Sequence, residues 1–188
     1  MVVFQAIQSW QKLPMPGSNR GYAPAQLLEQ MMVSICCGAN WFVHSDIKRL
    51  DKTLARLLGL SRVAEHKSIM RLFQRFDQSK AADLQRNCFN WLFEKLNLNR
   101  ITLDVDSAVI SRWGQQIQGV SKGYSPRNHG HNSHHQLIAF VADWRLVANF
   151  WLRTGIAYNT NNAQSFIHET LDNLGLTKVG LFRADSGF

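Results

Sequence analysis

The sequence predicts a helical N-terminal region followed by a region of mixed α+β or α/β structure. Three observations carry this. Apolar residues recur at helical spacing from residue 25 to about residue 98. The period then changes to strict alternation near Arg100. From there the elements run strand, strand, strand, helix, strand.

Residues 12–24, KLPMPGSNRGYAP, hold three of the four prolines and two glycines. With the residues before them they read as an extended arm over 1–24. Pro24 suits the first turn of a following helix. That helix is expected over 25–37, with Leu27, Leu28, Met31, Met32 and Ile35 inward and Gly38 as its stop. A second is expected over 45–58, through Ile47, Leu50, Leu54, Leu57 and Leu58, ending at Gly59. HKSIMRLFQRF predicts a short amphipathic helix that buries Ile69, Leu72, Phe73 and Phe76 and turns Lys67, Arg71 and Arg75 outward. A longer helix over 80–96 has Leu84, Phe89, Leu92 and Phe93 as its core side. Short adjacent helices with basic faces suit helix-turn-helix DNA binding, and equally a plain helical bundle with solvated cations.

ITLDVDSAVI (101–110) places Ile101, Leu103 and Val105 on one face and Thr102, Asp104 and Asp106 on the other. HHQLIAFVAD is almost wholly apolar, as a central strand is. RLVANFWLRTG follows it after Asp143-Trp144-Arg145, a link short enough to make the two strands antiparallel. A helix over 162–174 turns Phe166, Ile167, Leu171 and Leu174 inward and stops at Gly175. TKVGLFRADSGF is the last strand and reaches Asp185. This order is the opening of an incomplete RNase H-like fold: strands one to three, a helix, then strand four. The domains are expected as an arm (1–24), a helical DNA-binding region (25–98) and the first half of a catalytic domain (99–188).

The chain has 188 residues, 45% hydrophobic and 18% charged, which is enough to bury a core and argues against disorder. Its net charge of +8 points to a polyanionic partner, nucleic acid first. The charge is uneven: residues 1–100 hold 14 Lys/Arg against 7 Asp/Glu, and residues 101–188 hold 7 against 6. The three cysteines are too few and too badly spaced for a disulfide framework and read as buried thiols. There is no signal-peptide pattern, and the longest apolar stretch is too short and polar to span a bilayer. These features fit the cytoplasm. No glycine-rich phosphate loop follows any strand, so a small-molecule α/β enzyme lacks support.

Two-metal phosphodiester chemistry needs carboxylates on rigid strands that converge on a pair of cations. Asp106 near the end of the first strand and Asp185 at the end of the fourth can face each other if those strands are neighbours. Asp104 shares a face with Asp106 and is a helper acid or a further ligand. The alternative is that these aspartates are ordinary turn formers and caps at strand ends. Arg153 and Arg183 flank these strands and are read either as phosphate contacts or as surface ion pairs. Arg183 lies on the same face as Asp185 by alternation. His129, His131, His134 and His135 do not have the spacing of a tetrahedral zinc site. His129 and His131 sit instead in a loop whose histidines, with Lys122 and Arg127, could meet DNA, while His134 and His135 enter the second strand. Of the six tryptophans, Trp91 and Trp151 are expected in the core.

Several segments together carry a family likeness. DVDSAV, then GYSPRNHGHNSHHQLIAFVAD, ANFWLRTG, an Asn-rich helix start and VGLFRADSGF resemble the DDE-type, RNase H-like insertion-sequence transposases of DDE domain group 1. PGSNRGYAP, RLDKTLARLLGL and HKSIMRLFQRF are similar to that family's helical N-terminal region, so the likeness runs from about Pro16 onward. It implies transfer of a mobile element by hydrolysis and strand transfer at its ends. It assigns the first catalytic aspartate to Asp106 and the second to Asp185, with Mg²⁺ or Mn²⁺ as cofactor in the complete protein. It also implies DNA partners (terminal inverted repeats and a target), a homodimeric assembly and a bacterial, nucleoid-associated setting. The family's third acid is a Glu on a later helix, and after Asp185 only Ser186, Gly187 and Phe188 remain. The expectation is therefore a transposase portion inactive by itself, drawn from a truncated gene, one frame of an interrupted element or a partial sequence. The alternative is a non-catalytic DNA-binding remnant that binds element ends or interferes with an intact transposase.

Overall fold

The computed structural model describes residues 2–10, 13–17, 21–114, 117–123, 125, 128–158 and 160–185, with the side chains of residues 2 and 48 left aside. Arg127 and the last three residues, 186–188, lie outside this set. The chain divides into two compact units, Met1–Asn87 and Cys88–Phe188.

The first unit is helical. α1 (Val2–Ser9) opens the segment expected to be an extended arm. It forms because Ile7 is fully buried in a cluster with Leu27, Leu28, Ala64, Ile69 and Leu72, so burial outweighs the poor helix propensity of its β-branched start. α2 (Pro24–Cys36) has its proline in the first turn, and Gln26 Oε1 accepts from Ala23 N at 3.1 Å. Glu29 and Gln30, which look like interruptions of an apolar run, are both buried. Gln30 clamps a distant peptide: its Nε2 donates to Ala64 O at 2.7 Å, and Ala64 N donates to its Oε1 at 2.8 Å. Both amide groups are thus satisfied, as burial requires. Glu29 Oε1 accepts from Gln8 Nε2 at 3.0 Å.

The single helix expected over 45–58 is two elements. A 3₁₀ segment covers Phe42–Leu50, and α3 (Lys52–Leu57) starts afresh. Asp51 causes the break. Its Oδ1 accepts from Thr53 N and Leu54 N, both at 2.9 Å, which makes it an N-cap. Ile47, Leu50 and Leu57, expected inward, are exposed, and Leu50 keeps 90% of its surface. α4 (His66–Phe73) buries Ile69 and Leu72 and leaves Lys67, Arg71 and the following Arg75 exposed. Asp46 anchors its start: Oδ1 accepts from His66 N at 2.7 Å and Oδ2 meets His66 Nδ1 at 2.5 Å. Burial raises the Asp46 pKa, but the His66 backbone and ring bonds together outweigh it and hold the carboxyl below its usual range.

α5 (Gln78–Leu96) runs through the division between the units, which falls inside this helix rather than at its end. Leu84 packs in the first unit's cluster and Phe93 in the second unit's core. All three cysteines are exposed, against the expectation of buried thiols. Cys36 and Cys37 sit where α2 ends and Cys88 lies on α5, where its surroundings still desolvate the thiol enough to push its pKa up.

The second unit is a five-stranded mixed sheet. The strands are β1 (Arg100–Arg112), β2 (Ser121–Lys122), β3 (Asn132–Val141), β4 (Leu146–Thr154) and β5 (Lys178–Ala184). β3 pairs antiparallel with β1, β2 and β4, and β5 pairs parallel with β1. α6 (Ala163–Leu174) forms the crossover between β4 and β5. The expected strands one to four are thus β1, β3, β4 and β5, in the spatial order β4-β3-β1-β5 of an RNase H-like sheet. β2 is an addition that periodicity could not reveal, being two residues long. Asp143 and Trp144 lie in a 3₁₀ turn, and Arg145 takes a left-handed conformation (φ 53°) to reverse the chain into β4.

One face of the sheet holds the core. Ile101, Leu103, Val105, Leu137, Ala139, Val141 and Ala148 meet Phe93 of α5 and Phe166 and Leu174 of α6. Leu171, expected inward, is 42% exposed, while Thr170 and Asn173 are buried. Thr170 Oγ1 donates to Phe166 O at 2.7 Å and Asn173 Nδ2 donates to Ala148 O at 3.3 Å, while the buried Asn173 Oδ1 has no hydrogen-bond partner among the described residues. Trp91 and Trp151 are half-buried, and Trp151 packs on the core with its Nε1 donating to Glu169 Oε2 at 2.8 Å.

Candidate functional site

Alternation along β1 decides which side chains leave the core. Ile101, Leu103 and Val105 turn inward, so Thr102, Asp104 and Asp106 turn to the other face. Asp106 is exposed and Asp104 half-buried. Across β3, Asp104 stands opposite Phe140 and Asp106 opposite Ile138. On the other side the parallel register pairs Leu103 with Phe182, Asp104 with Arg183 and Val105 with Ala184. The register ends there, one residue short of Asp106 on β1 and of Asp185 just past β5, and both aspartates are exposed. Asp106 Oδ1 accepts from Ser107 N at 2.7 Å.

Asp104 and Arg183 form a side-on fork. Arg183 Nε donates to Asp104 Oδ1 and Arg183 Nη2 to Oδ2, each at 2.6 Å. The guanidinium beside Asp104 holds its carboxyl below the usual range, and the same bonds push Arg183 upward. Asp143 adds a smaller attraction for Arg183, and its Oδ2 accepts from Thr102 N at 2.7 Å. Sequence reading gave Asp143 only a turn role. The bond links positions 41 residues apart, and no local pattern announces it.

The remaining sequence-predicted contacts are scattered. Lys67, Arg71 and Arg75 are exposed on and just after α4 in the helical unit. Lys122 is exposed on β2. Arg153 is half-buried and spends Nη1 on two carbonyls, Tyr158 O at 2.9 Å and Asn161 O at 2.8 Å, while its Nε and Nη2 are closed off from solvent. It therefore ties down the segment after β4. Three of the four histidines are individually engaged: His134 Nδ1 accepts from Arg112 Nε at 3.2 Å, His135 Nδ1 meets Ala157 O, and the His131 ring lies 4.3 Å from that of Trp113, while His129 is exposed. Among the described residues no three His, Cys, Asp or Glu side chains gather as a metal-binding group. No helix among them is long and apolar enough to cross a membrane.

Asp106 lies midway along β1, which continues to Arg112, rather than near a strand end, and Asp185 follows β5; both are exposed oxygen donors of the type that Mg²⁺ and Mn²⁺ take.

Residues 4–188 match the family model described as "Transposase DDE domain group 1". No curated protein matches the chain. Among solved structures there is a remote likeness to one described as "Mos1 transposase paired-end complex with left transposon end", at 13% identity and a TM-score of 0.25. It covers 90% of this chain, which spans about half (54%) of that one. With a match across nearly all of its length, the chain belongs to the transposase DDE domain group 1 family.

Proposed function

We propose that this chain serves insertion-sequence transposition, with Asp106 and Asp185 as the paired carboxylates of its phosphodiester chemistry. The observation that supports the reading is the parallel β1–β5 pairing, which runs up to Val105 and Ala184, the residues just before these two exposed aspartates. Mg²⁺ or Mn²⁺ held there would supply activation of the attacking oxygen and stabilisation of the leaving one. The chain's own share is positional. The apolar inward row of β1 fixes the strand against α5 and α6, and that fixes where Asp106 points.

DNA is the proposed partner, as element ends and as target. Residues 1–87 hold 12 Lys/Arg against 6 Asp/Glu, and the exposed Lys67 and Arg71 on α4 with Arg75 just after it could follow a phosphate backbone. Lys122 and Arg127 are proposed as further contacts from the sheet unit. Arg153 and Arg183 are assigned a structural part, since the first holds two carbonyls and the second holds Asp104. Pairing of two copies on DNA is proposed with the same reading.

Two carboxylates leave a cation pair short of ligands. In a nicking and strand-transfer assay with inverted-repeat DNA and Mg²⁺ or Mn²⁺, the 188-residue chain is expected to bind DNA without cleaving or joining it. Clear turnover that disappears in Asp106→Ala would overturn the expectation of inactivity and keep the site. Absence of any DNA binding at low salt would overturn the transposition reading.

A further inference from the structure

β5 has little to hold it in register. Among the described residues it is the edge strand of its sheet and pairs only with β1. Six of its seven residues are exposed, including Leu181 and Phe182. Register in a sheet is normally fixed by which side chains must be buried, and a strand with so little burial has a weak preference. The pairing is also interrupted. Ile101 faces Val179 and Thr102 faces Leu181, so Gly180 is an extra residue on β5. A bulge of this kind frees one residue from the ladder, and the register beyond it needs its own determinant. Gly180 is suited to the place because a Cβ there would lie 2.2 Å from Arg100 Nε.

Beyond the bulge, one strong cross-strand bond is the Asp104–Arg183 fork. It joins residues 79 apart in sequence and directly opposite in register, with both N–O distances at 2.6 Å. Asp143 supports it from the β3–β4 turn by accepting the Thr102 N–H beside the bulge. A fork of two parallel bonds fixes orientation as well as distance, which a single lysine contact does not. The same bonds occupy the Nε/Nη2 edge that an arginine would offer a phosphate, and both oxygens that Asp104 would offer a cation.

We infer that Asp104 and Arg183 are positioning residues, a latch that sets β5 in the register bringing Asp185 beside Asp106, and that neither binds the cation or the DNA. The inference about register stands on the strand geometry. Its consequence for cation binding rests on the function proposed above.

The test combines two readouts on the full chain and its Asp104→Asn, Arg183→Gln, Arg183→Lys and Asp104→Arg/Arg183→Asp variants. The first is amide hydrogen exchange. The latch predicts that residues 181–184 exchange at least about tenfold faster in both single neutral variants, as local opening of an edge strand does, with β1–β3 and β3–β4 amides unchanged. Arg183→Lys should fall short of native protection, and the charge-swapped pair should restore part of it. The second readout is Mn²⁺ affinity, which should loosen about tenfold in Asp104→Asn and in Arg183→Gln alike, the usual scale for a group that orients a ligand. A ligand role for Asp104 gives opposite signs instead, with Asp104→Asn losing binding and Arg183→Gln keeping or tightening it. That pattern, or native exchange of β5 in both single variants, overturns the latch. If the unmodified chain binds no Mn²⁺, the proposed site fails while the exchange readout still decides the latch.

Discussion

Phe166→Ala is expected to cost the sheet unit about 3–5 kcal/mol, the range for a large buried aromatic cut to a methyl group. Phe166 is fully buried at the first turn of α6. Its ring meets Trp151 edge-on, with centroids 5.4 Å apart and planes at 75°, and it joins the cluster formed by Leu103, Leu137 and Ala148. The substitution leaves its carbonyl bonds to Thr170 and Asn149 in place, so the loss is one of packing. For a unit of this size each kcal/mol lowers the melting temperature by about 4–8 °C, so a fall of at least about 12 °C is expected by calorimetry. Phe166→Leu should cost less than about 1.5 kcal/mol, because most of the volume remains. A fall of only a few degrees for the alanine variant would show that α6 does not close this core.

The second large effect is Gly123→Ala. A Cβ at Gly123 would lie 1.8 Å from Gly155 O and 2.4 Å from Gly155 C, so it would strike main chain. Gly155 is equally confined, since its own Cβ would come within 2.4 Å of Ser121 O. The two glycines let the segment after β2 cross the end of β4 at contact distance. No rotamer change relieves a clash with backbone, so β2 must move off β3 or the β4 end must shift. Overpacking of this kind costs about 3 kcal/mol, at the upper end of its range. Gly21→Ala is the control, since nothing lies within 4 Å of a Cβ there. Melting curves of the two variants check this, together with amide exchange at Ser121 and Ser133. Equal melting temperatures would contradict it.

Much of the sheet could be read from sequence because its burial is one-sided. Ile101, Leu103 and Val105 alternate with Thr102, Asp104 and Asp106 just as the core demands. Past Asp106 the two faces of β1 are nearly equal in burial, and there the periodicity gave out although the strand continues to Arg112. α1 was missed because a short helix starting with two valines carries no local signal, and what forms it is the burial of Ile7 against residues far along the chain. The apolar spacing of Ile47, Leu50 and Leu57 was misleading for the opposite reason: the spacing is helical, but Asp51 caps a new helix and these side chains stay exposed.

The candidate site divides the same way. Asp106 lies in β1 and Asp185 directly follows β5, two strands whose type follows from pattern and which pair with each other. The fate of Asp104 and Arg183 could not, because alternation gives a residue's face and not its partner. Their bond depends on a bulge at Gly180 and on a register set across 79 residues. Asp143 was equally hidden: a turn aspartate whose carboxylate reaches the Thr102 amide.

The central claim is that Asp106 and Asp185 together hold a divalent cation. Its most direct measurement is a Mn²⁺ titration of the full chain, followed by electron paramagnetic resonance, beside Asp106→Ala, Asp185→Ala and a remote Asp172→Ala control. One saturable, weak site with a Kd on the order of 1 mM is expected, lost in each of the first two variants and kept in the third. Equal binding in all four proteins, or none in the unmodified chain, would contradict the account.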